Sequence, residues 1–181
     1  MSTQPRNQYG WNENDLRQQF ETAKSFGWLP FFEAAAYATG FEVEQLLALG
    51  SRESGSLWRI HPDGLISGDR GYAIGIVQLN RHAIPDAFEN KEPEKNLLRG
   101  ARELAANKQS LKRHTTAVPG DIMARMIYAS YNRGATGARL SYEQHGDPDF
   151  TTAHRNYGAD CVAREAVFSA LLDAEENLGD A

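Results

Sequence analysis

The sequence predicts a mainly helical (mainly α) domain, interrupted once near its middle by a small glycine-rich β or loop insertion. Apolar residues recur at helical spacing through most of the 181 residues. Prolines open, and glycines close, the stretches where that spacing holds. Between Ser56 and Asn80, by contrast, Pro62, Gly64, Gly68, Gly71 and Gly75 crowd into a segment that no regular helix crosses.

Each element has its own signal. Residues 1–12 are polar, without periodicity or a cap, and read as a flexible arm ahead of one domain at 13–181. Leu16, Phe20, Ala23 and Phe26 form the stripe of a first helix from Glu13 to Phe26, stopped by Gly27. Pro30 opens a short apolar helix through Ala38, ended by Gly40. From Glu42, a third helix lines up Val43, Leu46, Leu47 and Gly50, with Gly55 as its C-terminal stop. In the insertion, the β-branched run IGIVQL at 74–79 reads as a short strand or ribbon. Helical texture returns from Glu92 to Arg113 and from Pro119 to Asn132, where Ile122, Met123, Met126 and Ile127 form a stripe and Gly134 and Gly137 punctuate the end. A last helix from Tyr157 to Asn177 turns Cys161, Val162, Phe168, Leu171 and Leu172 inward. No repeat, low-complexity block or linker divides the chain.

Composition narrows the function classes. A chain of this length with 41% hydrophobic residues supports one core without staples. Cys161 is alone, so no intrachain disulfide forms, and it lies on an apolar helix face as a small core residue. The five histidines are scattered without metal or triad spacing, and no Walker or dinucleotide glycine pattern exists, so neither metal nor cofactor is expected. A net charge of −5 argues against nonspecific attraction to nucleic acid or anionic membrane. No run approaches the roughly 18 apolar residues of a membrane span, and the first residues lack the pattern of a secretory signal.

Several residues carry chemistry. Glu53 falls within about 20° of Leu46 on the apolar stripe, because seven residues make nearly two helical turns. A carboxyl there is desolvated and lies near the negative end of the helix dipole; both effects favour the protonated form that a general acid needs. Pairing with Arg52, Arg59 or Arg70 is the structural alternative. Asp69, at a glycine-flanked turn, is a second carboxylate of the kind used with a buried acid in glycosidic cleavage; it also suits a plain Asx turn. Gln78 and Asn80, placed on one face of the predicted strand, are amides suited to sugar hydroxyl and N-acetyl groups, or to ordinary surface. Tyr131 and Asn132 end the fifth helix and Tyr157 opens the last one, serving either as cleft groups or as core anchors with a wet hydroxyl.

Three segments, in order and in register, resemble the goose-type lysozymes and their relatives, the soluble lytic transglycosylases, within glycoside hydrolase family 23. They are SRESG at Ser51 to Gly55, GDRGYAIGIVQLN at Gly68 to Asn80, and ASYNRG running on to NYGADCVARE, Ala129 to Glu165. The likeness spans roughly Leu46 to Phe168 and implies a lysozyme-like α+β fold with the insertion flanking an active-site cleft. It implies Glu53 as catalytic acid and Asp69 as the group that activates or positions water. Gln78, Tyr131, Asn132 and Tyr157 match residues that orient the glutamate or bind glycan. Where the family run ends in a second aspartate this chain has Asn80, which holds water but is no base at neutral pH. His82, a further candidate substrate contact, sits off the family position, which Ile84 occupies.

The implied activity is hydrolysis of the β-1,4 bond between N-acetylmuramic acid and N-acetylglucosamine in peptidoglycan, with inversion. The alternatives are a lytic transglycosylase forming 1,6-anhydromuramic products and a glycan-binding domain without turnover. The implied partner is the glycan strand, met by a monomer, with a proteinaceous inhibitor or immunity protein possible by family analogy. The cysteines of animal goose-type enzymes are missing, which points to a bacterial or phage-type member acting on the wall in self-remodelling, phage lysis or toxin delivery.

Overall fold

The computed structural model describes residues 5–115 and 117–179. Six helices carry the fold: α1 (Glu13–Ser25), α2 (Leu29–Thr39), α3 (Val43–Ser54), α4 (Pro93–His114), α5 (Gly120–His145) and α6 (Tyr157–Gly179). The mainly helical character read from the sequence is observed. α3 is the central helix, buried at every residue from Leu46 to Ser51 and packed along α6, while α4 pairs with α5 and with α2.

Local chemistry sets these elements. Asn12 and Asp15 exchange side-chain-to-backbone hydrogen bonds, 3.0 Å each way, in a capping box that starts α1. Beneath α3, the fully buried rings of Trp28 and Trp58 meet edge to face at 5.8 Å, with Phe32 alongside. Gly50 lets them come close: a Cβ there would lie 3.1 Å from Ile76 and 3.2 Å from Trp58. The Trp58 indole donates to the Ser54 hydroxyl, which donates to the Ile76 carbonyl, so the end of α3 is tied to the insertion.

The insertion forms a small antiparallel wing of β1 (Ser67–Gly68), β2 (Ala73–Ile74) and β3 (Leu79–Asn80), with Gly68 opposite Ala73 and Ala73 opposite Asn80. IGIVQL is therefore not one strand. Only its ends join the ladder, and its middle is a turn in which Gly75 and Gln78 take left-handed backbone angles. Ile76 and Val77 are β-branched because they are buried beneath the wing, not because they pair in a sheet. Fully buried Asn96 of α4 holds this turn, accepting from the Val77 amide at 3.0 Å and donating to the carbonyls of Ile74 and Asn90.

Two expected boundaries move. α5 continues to His145 past a single break at Gly134 (φ 71, ψ 159), because Ala135, Ala138 and Ser141 beyond it are buried. Of the arm at 1–12, residues 1–4 lie outside the described residues, but the later part is not free. Asn7 and Trp11 close a turn at 2.8 Å, and Trp11 is buried with its indole donating to Asp160 at 2.6 Å. At the other end, buried Asp149 caps α6 by accepting from the Gly158 and Ala159 amides, which fixes Tyr157 at the start of that helix.

Candidate active site

α3, α5 and the wing converge on a cavity of about 340 Å3 lined by Glu53, Asp69, Ala73, Gln78, Asn80, Tyr131 and Asn132. A neighbouring cavity of about 390 Å3 shares Gln78, Asn80, Tyr131 and Asn132 and extends the cleft past Ile84, Asn107 and Arg133. Residues more than 75 positions apart in sequence thus face one space.

Glu53 enters from the last turn of α3. Burial of its carboxyl pushes the pKa up from 4.5 to about 7, against the opposing pull of the Tyr157 hydrogen bond and the Arg52 charge. The Tyr157 hydroxyl donates to Oε1 of Glu53. The alternative pairing of Glu53 with Arg52 does not form: the Arg52 guanidinium lies over the Tyr157 ring and pairs with Asp160.

Asp69 stands across the cavity, directly after β1. Its Oδ2 accepts from the Asn80 amide at 2.9 Å, while Asn80 Oδ1 accepts from the His82 backbone at 3.0 Å. Asn80 is therefore a fixed bracket that orients Asp69. Asp69 and Arg70 both take left-handed backbone angles (φ 46 and 54). Such angles cost about 1–3 kcal/mol each and persist where the surroundings impose them. Of the six non-glycine residues with positive φ among those described, Asp69, Arg70 and Gln78 belong to the wing, and His154 and Arg155 to the loop whose Ala153 amide donates to Asn132. Half of these residues thus sit on the wing, and two of them, Asp69 and Gln78, line the cleft.

The remaining candidates divide. Gln78 lines the cleft from a turn rather than from a strand face, with its amide donating to the carbonyls of Ile66 and Gly75. Tyr131 lines both cavities and donates to the Val77 carbonyl at 2.8 Å, joining α5 to the wing. Tyr157 is buried and its hydroxyl bonds the Glu53 carboxyl, and it lines neither cavity. His82 lines neither cavity: it is exposed, its ring meets that of Tyr72 at 4.4 Å in a tilted arrangement, and only its backbone amide touches the site, donating to Asn80.

Neither protein-family models nor curated proteins yield a match to this chain. What the site can do follows from its own groups. It offers an acid that keeps its proton near neutral pH and a bracketed carboxylate facing the same space, with amides between them. Among the described residues there is no cluster of His, Cys, Asp or Glu able to hold a metal ion and no helix long and apolar enough to cross a membrane.

Sequence reasoning named Arg52 only as a possible partner of Glu53 and missed Asp160, with which it pairs. Asp160 is buried and gathers Arg52, Arg164 and the Trp11 indole. The one sequence signal was an Asp and Arg four residues apart on a helix face that is otherwise apolar.

Proposed function

We propose that this chain is a peptidoglycan muramidase that hydrolyses the β-1,4 bond between N-acetylmuramic acid and N-acetylglucosamine. The observation that carries the reading is a single cleft holding both Glu53, protonated near neutral pH, and Asp69, fixed by Asn80. Glu53 Oε2 gives its proton to the leaving glycosidic oxygen as the bond to the anomeric carbon breaks. Asp69 takes a proton from the water that attacks the opposite face of the sugar, which inverts the anomeric centre. With both Gln78 N–H groups bonded to Ile66 and Gly75, the amides of Asn80 and Asn132 supply the donors for neutral sugar hydroxyl and N-acetyl groups.

The helical body with a small antiparallel wing beside the cleft supports a lysozyme-like α+β fold. The spacing of SRESG, the GDRG run and ASYNRG supports membership of the goose-type group. The single carboxylate on the wing, with Asn80 beside it, favours a second reading: a lytic transglycosylase in which the muramic acid hydroxyl replaces water.

Digestion of purified peptidoglycan followed by mass spectrometry of the muropeptides tests both. Hydrolysis predicts products with a free reducing end. A product one water lighter establishes the transglycosylase instead, and undigested glycan refutes the proposal.

A further inference from the structure

Behind Glu53 lies a buried polar cluster that the acid and water roles do not use. Arg52 precedes Glu53 on α3, and its guanidinium sits over the Tyr157 ring, 5.1 Å from the centroid. Its Nε approaches Asp160 Oδ2 at 3.0 Å, off the line of a hydrogen bond, so the contact is a charge pairing. Asp160, 2% exposed, also accepts from Arg164 Nε at 3.0 Å and from the Trp11 indole at 2.6 Å. Arg164 in turn stacks on Trp11 and donates to the Ser51 hydroxyl at 2.7 Å, closing the cluster back onto α3.

The geometry points to Arg52 as a positioning residue: clamped by Asp160 over the Tyr157 ring, it fixes the phenol hydroxyl on Glu53, and Trp11 of the N-terminal segment completes the clamp. The chain of contacts is continuous. Tyr157 has its hydroxyl on Glu53 and its ring under Arg52, so ring movement moves the donor. A lone Arg52 would be a mobile surface cation, and a buried Asp160 without cations would be unpaired; each holds the other. Residues 7–11, by docking the Trp11 indole on Asp160, become part of the acid's support.

This inference rests on the reading of Glu53 as general acid. Glu53 is faced by Arg52 from its own helix, Tyr157 and Cys161 from α6, Tyr131 from α5 and Asp69 from the wing. Of these, Arg52 is the cation. Removing it makes Glu53 hold its proton to higher pH.

The test is the pH dependence of kcat and KM on soluble peptidoglycan strands for the full chain and three variants. Arg52→Gln is expected to lower kcat by about 10- to 100-fold through misplacement of the donor, with KM within about twofold, and to move the alkaline limb upward. Arg52→Lys keeps the charge but not the flat guanidinium, so the limb stays while kcat still falls. Trp11→Phe keeps the packing and removes the indole N–H, giving a smaller loss of kcat. Arg52 is partly exposed, and Asp160 keeps Arg164 and Trp11, so Arg52→Gln retains the fold, checked by its melting temperature. A loss of rate with no movement of the limb in Arg52→Gln, or no loss at all, overturns the inference. If Glu53→Gln is as active as wild type, the reading of the site itself has failed; if it is inactive while Arg52→Gln behaves as wild type, only this inference has.

Discussion

Replacing Glu53 by glutamine keeps the shape of the side chain and an acceptor for the Tyr157 hydroxyl but removes the ability to ionise. The carboxyl titrates at its ordinary 4.5 in the unfolded chain and at about 7 in the fold. Below the lower value both states carry the proton, and the two proteins are equally stable. Between the two values the unfolded state releases its proton while the folded state keeps it, so wild type loses stability as pH rises. Above the upper value the loss levels off. At about 1.4 kcal/mol per pH unit, the plateau is about 3 kcal/mol. For a chain of this size that corresponds to roughly 6–12 °C in Tm. Thermal melts followed by circular dichroism should show Glu53→Gln and wild type together near about pH 4, and the variant melting higher near about pH 8. Other titrating groups are common to both proteins and cancel in the difference. A gap that does not change with pH, or a wild type that is the more stable at the alkaline end, would refute the desolvated acid.

Three further substitutions probe the support of the site. Asn96→Ala strands the Val77 amide and the Ile74 carbonyl under the wing and should cost about 2–4 kcal/mol in urea unfolding, with faster proteolysis between Ser67 and Asn80. Asn80→Asp sets a second carboxyl at hydrogen-bond distance from Asp69; the two cannot both ionise freely, so the acid limb of the rate profile should move to higher pH. An unmoved limb would remove Asp69 from the water side of the reaction. Gly158→Ala drives a Cβ to 2.3 Å from the Arg125 carbonyl and should destabilise by about 1–3 kcal/mol in the same urea assay, with the capped start of α6 and Tyr157 displaced.

What could be read from the sequence was local. Glu53 stands seven residues after Leu46, so one helix places it on the buried face, and Asp69 stands among glycines that mark a turn. The helices follow their apolar stripes for the same reason. The small β insertion was legible from its glycines, but IGIVQL does not form one strand: Ile76 and Val77 carry a strand's composition for a different purpose, Ile76 packing against Gly50 of α3 and Trp58 and Val77 against Gly100 of α4. Gly134 does interrupt the helix, as the sequence suggests, but helical structure resumes at once because Ala135, Ala138 and Ser141 beyond it are buried. The partnership of Arg52, Asp160 and Trp11 was invisible because it spans 149 positions between Trp11 and Asp160 and exists only once α3, α6 and the N-terminal turn have packed. His82 was a candidate only through the resemblance, and off its matching position; the cleft is lined by Ile84, the residue at that position, and not by His82.

That Glu53 gives the proton to the leaving oxygen is tested most directly by the rate of reducing-end release from purified peptidoglycan, wild type against Glu53→Gln, across pH. The expected result is a wild-type rate that falls on the alkaline side around about 7, where Glu53 ionises. The variant should be slower by about 100- to 10,000-fold while remaining folded. Release by Glu53→Gln at the wild-type rate would contradict it.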